Sequence, residues 1–164
     1  MAKLVFVVGD SGTGKSTAAR NLDPNTTVII NSDQKDLPFR KFSEKYNSEK
    51  KNYKKTSNAK EIKALLLKIN DMPHVETVII DTFTRIMTDY VMSNEFRSSN
   101  GFQKWGDLSG DIYDLINIIN EKINDDVIVY AYCHPETIMT EEGRMQKRIA
   151  VQGKQLEKFT PESF

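Results

Sequence analysis

Near its beginning the chain carries Lys-Leu-Val-Phe-Val-Val-Gly-Asp-Ser-Gly-Thr-Gly-Lys-Ser, at residues 3–16. Residues 3–8 are almost all apolar and half of them are β-branched, which is typical of a strand buried on both faces of a parallel sheet. A glycine-rich loop follows at residues 9–14, and residues 15–22 contain no helix breaker. This order predicts a strand, a loop and a short helix.

The loop matches the pattern G-x-x-x-x-G-K-[ST] at every position. In this Walker A motif, or P-loop, backbone N–H groups and the helix N-terminus face the phosphates of a nucleotide. Lys15 is predicted to reach the β and γ phosphates, and Ser16 to coordinate Mg²⁺. An ordinary glycine-rich turn is the alternative. We predict an ATP/ADP site formed by Gly9, Asp10, Ser11, Gly12, Thr13, Gly14, Lys15, Ser16 and Thr17.

Three later stretches repeat the pattern of a buried strand, at residues 27–31, 77–81 and 127–132. Helical patterns lie between them, at residues 59–70, 83–96 and 108–124. Strands that alternate with helices predict an α/β fold, here a three-layer α-β-α P-loop NTPase with a mostly parallel, RecA-like sheet.

The end of the sequence has a different pattern. Residues 137–140 and 144–151 flank Glu141-Glu142-Gly143, which predicts a C-terminal β-hairpin. We expect a single domain over residues 1–164 with a lysine-rich insertion at residues 35–58. Further strands that such sheets often carry are missing after residue 159, which indicates a C-terminally truncated piece or a minimal core.

Composition excludes several classes of protein. Lys plus Arg and Asp plus Glu both number 23, so no overall charge selects nucleic acid, membrane or an acidic partner. Cys133 is the only cysteine, which excludes an internal disulfide and fits a reducing compartment. No stretch has the length of a signal peptide core or a membrane span. These features predict a cytoplasmic protein with no membrane partner.

Asp81 follows the apolar residues Val78-Ile79-Ile80 at the end of a predicted strand. A carboxylate at this edge of a parallel sheet is suited to orient Mg²⁺ or its water, as in the Walker B arrangement. The alternative is a residue that caps the helix beginning at Phe83. We predict that Ser16 and Asp81 hold the metal.

Two further polar residues follow predicted strands. Asp33 comes after the second strand and is the candidate general base, with an Asx-turn or a helix cap as its alternative. His134 comes after the fourth strand and is the candidate sensor of the γ-phosphate, with Glu136 as the next candidate and a structural histidine as the alternative. The predicted catalytic residues are therefore Lys15, Asp33 and His134.

On these residues the chain resembles the phage-encoded RecA-like ATP-binding proteins, a group linked to single-strand annealing and recombination. The resemblance spans most of the chain and implies ATP hydrolysis, binding to single-stranded DNA, and a homo-oligomer in the host cytoplasm whose sites are completed between neighbours. Asp33 stands where RecA itself has glutamate. The resemblance rests on residues 9–17, 30–33, 37–39, 78–82, 132–136 and 153–156.

Two segments are candidates for DNA binding. Residues 35–68 contain 11 basic and 4 acidic side chains, so their lysines could follow a phosphate backbone while interleaved aromatic rings stack on bases. In the alternative interpretation the rings pack on the sheet. The aromatic residues concerned are Phe39, Phe42, Tyr46 and Tyr53. The second candidate is the C-terminal hairpin together with the segment after it, with Arg144, Lys147, Arg148, Lys154 and Lys158.

Three functions remain open on the sequence. The first is an ATPase that acts on single-stranded DNA. The second is a nucleotide or small-molecule kinase in which Asp33 holds the acceptor and the lysine-rich segment forms a lid. The third is a binding module in which ATP only stabilises an assembly. Kinase lids need arginines to clamp phosphates, and the corresponding segments here are rich in lysine, which favours the ATPase.

Overall fold

A computed structural model describes residues 2–99 and 101–159. Its centre is a sheet of five parallel strands in the order β1-β5-β4-β2-β3. The predicted α/β fold with a mostly parallel sheet is confirmed. Residues 160–164 of the predicted domain lie outside the described residues, and so does the side chain of Lys158. The strands are β1 (Lys3–Val8), β2 (Thr27–Asn31), β3 (Tyr53–Lys55), β4 (Thr77–Asp81) and β5 (Ile128–Cys133).

Helices cover both faces of the sheet. The segment after the glycine-rich loop is a single α-helical turn, α1, which continues as a 3-10 turn at Ala19–Asn21. No helix in residues 2–99 and 101–159 is long and apolar enough to cross a membrane. The helices are α1 (Lys15–Ala18), α2 (Phe42–Lys45), α3 (Ala59–Ile69), α4 (Phe83–Met92), α5 (Asn94–Ser98), α6 (Gln103–Lys122) and α7 (Lys154–Phe159).

The alternation of side chains along the strands assigns each residue to one face. Even-numbered residues of β2 and β4, such as Ile30 and Ile80, pack against α3, α4 and α6 in the larger apolar cluster. Odd-numbered residues, such as Ile29 and Ile79, pack in a smaller cluster with Ala19 of the 3-10 turn. Asn31 and Asp81 continue the odd-numbered series, so both lie on the α1 face at the carboxyl end of the sheet.

The two edges of the sheet differ from the prediction. Strand β1 pairs only with β5 among the described residues, and Val5 and Val8 are 37% and 44% exposed. The prediction that this strand is buried on both faces was therefore wrong, because a strand at an edge has one neighbour and less cover. The opposite edge is β3, a short strand that no pattern predicted, since its exposed Lys54 and Lys55 give it no apolar alternation.

Two helices also differ from their predicted bounds. The helix predicted at residues 83–96 is two helices, because Ser93 has extended backbone angles and its Oγ accepts a hydrogen bond from the Phe96 N–H. The helix predicted from residue 108 begins at Gln103 instead. Its first turn carries Trp105, whose ring contacts Phe96 edge to face.

The predicted C-terminal hairpin is present as a separate antiparallel pair. Its strands are β6 (Pro135–Met139) and β7 (Met145–Ile149). Strand β6 begins two residues after β5 ends, so the hairpin starts at the same edge of the sheet as Asp81. The end of β5 thereby places the start of the hairpin next to the carboxyl end of β1, which pairs with β5 and leads into the glycine-rich loop.

Candidate functional site

The glycine-rich loop has a backbone that needs glycine at two positions. Gly12 and Gly14 have φ angles of 81° and 90°, which L side chains rarely adopt. The Thr13 hydroxyl donates a hydrogen bond of 2.8 Å to the Asp10 carbonyl, and this bond stabilises the turn. Residues 10–14 remain exposed, so the inner side of the loop is open to a ligand.

Lys15 is folded back over the loop that precedes it. Its Nζ atom donates to the Gly9 carbonyl at 2.5 Å and to the Asp10 carbonyl at 2.9 Å. A Cβ atom at Gly9 would lie 2.9 Å from the Thr13 hydroxyl, so this position also has little space for a side chain. The ammonium group is thereby held at the loop, where the motif requires it for phosphate binding.

Asp81 lies beside Ser16, as the alternation in the sheet requires. The Thr82 hydroxyl donates a hydrogen bond of 3.0 Å to the Asp81 carboxylate, and the neighbouring Ser16 hydroxyl lowers the pKa of the same carboxyl group. Asp81 is 3% exposed, and this burial raises its pKa despite the two hydroxyl groups. A hydroxyl and a carboxylate are hard oxygen donors, which fit Mg²⁺ when phosphate oxygens complete its coordination.

Asp33 is brought close to Asp81 by the loop after β2. The N–H groups of Ser32 and Asp33 both point to the Asp81 carbonyl, at 2.5 and 3.3 Å. The charge of Asp33 also raises the pKa of Asp81, although less than burial does. Arg85 on α4 lies 3.9 Å from the Asp33 carboxylate and 2.6 Å from Asp89, so it links Asp33 to the helix after β4.

His134 lies at the junction of β5 and the hairpin. Its N–H faces the Thr84 hydroxyl at 3.3 Å, and its carbonyl accepts a bond of 2.9 Å from the Ala150 N–H. Its backbone N–H and carbonyl group therefore connect the end of β5 to α4 and to the end of the hairpin. Glu136 is the next candidate for the sensor of the γ-phosphate. Its carboxylate accepts a hydrogen bond of 2.7 Å from the Arg148 guanidinium within the hairpin.

A family model described as an AAA domain matches residues 1–163, which is almost the whole chain. The chain belongs to this AAA domain family. The match agrees with the glycine-rich loop and the parallel sheet, and it makes the chain a P-loop NTPase domain of a nucleotide-binding, ATPase type. No curated protein matches the chain.

In this AAA domain the aromatic rings of the lysine-rich segment pack on the sheet. Phe42 and Tyr46 are 8% and 1% exposed and join the smaller apolar cluster with Ile29 and Ile79. Phe39 and Tyr53 are partly buried against the same cluster. The rings of Phe42 and Tyr46 are therefore not free to stack on bases, and the structure favours the second interpretation of these residues.

Two contacts in the AAA domain were not predicted from the sequence. Arg85 lies next to Asp33, and Lys147 on β7 lies 2.9 Å from the carboxylate of Asp10 in the P-loop. The position of Arg85 in the first turn of α4 is a usable signal, because that turn begins two residues after β4 ends at the sheet edge. Lys147 was predicted only as one of several basic residues on the hairpin, since 137 positions separate it from Asp10.

Proposed function

We propose that this AAA domain is a Mg²⁺-dependent ATPase that acts on single-stranded DNA as a homo-oligomer, in phage recombination or replication in the host cytoplasm. The observation that carries the ATPase part is the position of the Asp81 carboxylate, next to the Ser16 hydroxyl and close enough to the Lys15 ammonium group to feel its charge. A nucleotide phosphate site and a set of oxygen donors for a cation thus lie next to each other.

The binding step follows from the groups of the loop. Lys15 now donates to two neutral carbonyl oxygens, and charged phosphate oxygens are stronger acceptors for an ammonium group. Lys15 therefore exchanges these carbonyls for the β and γ phosphates. Ser16 and Asp81 hold Mg²⁺, which when bound neutralises negative charge on the phosphates.

The hydrolytic step is assigned to Asp33. Its carboxylate accepts a proton from a water molecule as the water oxygen forms a bond to the γ phosphorus. The bond between that phosphorus and the β–γ bridging oxygen breaks, and ADP leaves with the electron pair. Arg85 and Lys35, at 3.9 and 3.7 Å, hold the Asp33 carboxylate at the sheet edge. His134 transmits the state of the γ-phosphate through its backbone hydrogen bonds to Thr84 and Ala150.

The DNA part of the proposal relies on exposed lysines and on the resemblance to RecA-like phage proteins. Because Phe42 and Tyr46 are buried, binding by this segment depends on charge and not on base stacking. Such binding is independent of base sequence and weakens steeply with salt. The exposed lysines around α2 and β3 are Lys41, Lys50, Lys51, Lys54 and Lys55.

The ATPase proposal is tested by ATP turnover with and without single-stranded DNA. We expect wild type to release inorganic phosphate, with turnover that rises with DNA and with protein concentration. Lys15→Ala should lose nucleotide binding, and Asp33→Asn should bind ATP but turn over at least tenfold more slowly. Transfer of the phosphate to a small acceptor would identify a kinase instead, and equal turnover in Asp33→Asn would remove Asp33 as the base.

The DNA proposal is tested by two double variants of equal charge. Lys51→Gln with Lys54→Gln removes two exposed lysines around β3, whereas Lys3→Gln with Lys122→Gln removes two exposed lysines outside residues 35–68, at the start of β1 and at the end of α6. We expect only the first pair to weaken binding to single-stranded DNA and to reduce its salt dependence by about one to two released counterions. The same loss in both pairs would show that the lysine-rich segment is not the DNA site.

A further inference from the structure

The hairpin and the P-loop of one chain are joined by an ion pair. The Nζ atom of Lys147 on β7 lies 2.9 Å from Oδ2 of Asp10. The two residues line the same groove, about 970 Å³ in volume, which runs between the free edge of β1 and the hairpin. Gly9 and Thr13 of the loop line it as well. The hairpin therefore reaches the start of the phosphate-binding loop.

Lys147 is not the only cation near Asp10. The ammonium group of Lys15 lies 2.9 Å from the Asp10 carbonyl. Lys147 and Lys15 both lower the pKa of the Asp10 carboxyl group, and Lys147 has the larger effect. Ammonium groups from α1 and β7 thus converge on one residue of the P-loop. This cluster carries more positive charge than the P-loop motif itself provides.

The Lys147–Asp10 pair is easily exchanged for another anion. Both side chains are 64% exposed, and exposed ion pairs contribute little to stability. Phosphate oxygens of a bound nucleotide carry more negative charge than a carboxylate and form stronger charge-assisted hydrogen bonds. A triphosphate in the loop is therefore a better partner for Lys147 than Asp10 is.

We propose that Lys147 is a second phosphate-binding lysine, supplied by the hairpin of the same chain, which contacts the terminal phosphate of ATP and distinguishes ATP from ADP. Asp10 holds Lys147 at the loop until the phosphate replaces it. The proposal rests on the proposed nucleotide binding and adds a residue to that site.

The position of the Lys147–Asp10 contact indicates that Lys147 binds the terminal phosphate. Lys15 reaches the β and γ phosphates in this motif, and its ammonium group and that of Lys147 both lie against Asp10. Arg148 is less suited to the role, although it is adjacent in sequence. Its guanidinium lies 2.7 Å from Glu136 and 3.7 Å from Glu157, which bind it within the hairpin region.

The test is calorimetric titration of ATP and of ADP, each with Mg²⁺, into wild type, Lys147→Met and Lys147→Arg. Arg144→Met is the matched control, because it removes one charge from the exposed turn of the same hairpin. We expect Lys147→Met to weaken ATP binding about tenfold and ADP binding twofold or less, and Lys147→Arg to restore most of the difference. Arg144→Met should change both affinities by less than twofold.

Equal losses for ATP and ADP in Lys147→Met, or losses matched by Arg144→Met, would overturn the proposal. Mixing Lys147→Met with Lys15→Ala tests whether the contact lies within one chain. If the mixture regains the wild-type ratio of affinities, Lys147 acts from a neighbour and the assignment fails. The proposed function fails separately, if wild type does not bind ATP or if Lys15→Ala binds it equally well.

Discussion

Asp81 is subject to two opposing requirements. Cation binding needs an ionised carboxylate, yet the side chain is almost fully buried, and burial raises its pKa. The hydroxyl groups of Ser16 and Thr82 offset this rise in pKa only in part. The folded domain therefore retains a proton on Asp81 at pH values where the unfolded chain has released it. Protonated Asp81 therefore adds to the free energy of unfolding at low pH, and this contribution is lost as the pH rises through the raised pKa.

This balance predicts the effect of Asp81→Asn. Without Mg²⁺ at pH 7, the variant should have a higher free energy of unfolding than wild type, because asparagine cannot ionise, and the gain should shrink toward pH 4. With Mg²⁺, the variant should bind ATP at least tenfold more weakly, about 1.4 kcal/mol. Urea unfolding and ATP titration measure the two effects. Asp71→Asn, at an exposed position, is the control and should alter neither the free energy of unfolding nor the affinity for ATP. A lower free energy of unfolding in Asp81→Asn at pH 7 would show that the buried carboxylate does not destabilise the fold.

Helix α6 contains two glycines that its structure does not need. Gly106 and Gly110 are exposed, and a Cβ atom at either would meet nothing within 4 Å. We expect Gly106→Ala and Gly110→Ala to raise the free energy of unfolding by about 0.5–1 kcal/mol each, because alanine loses less backbone entropy in a helix.

Gly153→Ala is the contrasting variant. Its φ is 91° and the added Cβ would lie 2.9 Å from the Trp105 ring, so it should be destabilising. Urea denaturation of the three variants checks the comparison. A loss of stability in the α6 variants would mean that close contacts at these glycines are required.

Sequence patterns located the long elements better than the short ones. The strands β2 and β4 and the hairpin were predictable, because apolar runs and turn residues mark them locally. The three-residue strand β3 was not, since its pairing with β2 is a tertiary contact and its exposed lysines resemble a loop. The single helix predicted at residues 83–96 failed for a local reason that the sequence did contain, the capping Ser93.

In the candidate site too, the sequence predicts what short motifs mark, but not the contacts that arise from packing. The glycine-rich loop and Asp81 follow from short motifs, and the alternation of β4 places Asp81 beside Ser16. Contacts of Arg85 with Asp33, and of Lys147 with Asp10, depend on how separate elements pack. The catalytic roles of Asp33 and His134 stay predictions, although the fold brings both to the carboxyl end of the sheet.

The whole domain should respond to nucleotide by becoming more stable. A ligand at 100 times its dissociation constant stabilises the folded state by about 2.7 kcal/mol. For a domain of this size that corresponds to a rise in Tm of about 5–10 °C. We expect this rise with ATP and Mg²⁺ in a thermal unfolding scan and none with Lys15→Ala. A rise of equal size in that variant would place the nucleotide elsewhere.

The unequal edges of the sheet restrict how copies of the domain could assemble. Exposed Lys54 and Lys55 on β3 oppose strand pairing at that edge, whereas β1 has no charged residue between Leu4 and Val8. Pairing of β1 with β1 of a second copy would use the same patch twice, and such an isologous contact closes as a two-fold dimer. An open helical filament needs two different patches in head-to-tail contact. Any filament of this domain along DNA must therefore be built from surfaces other than the strand edges.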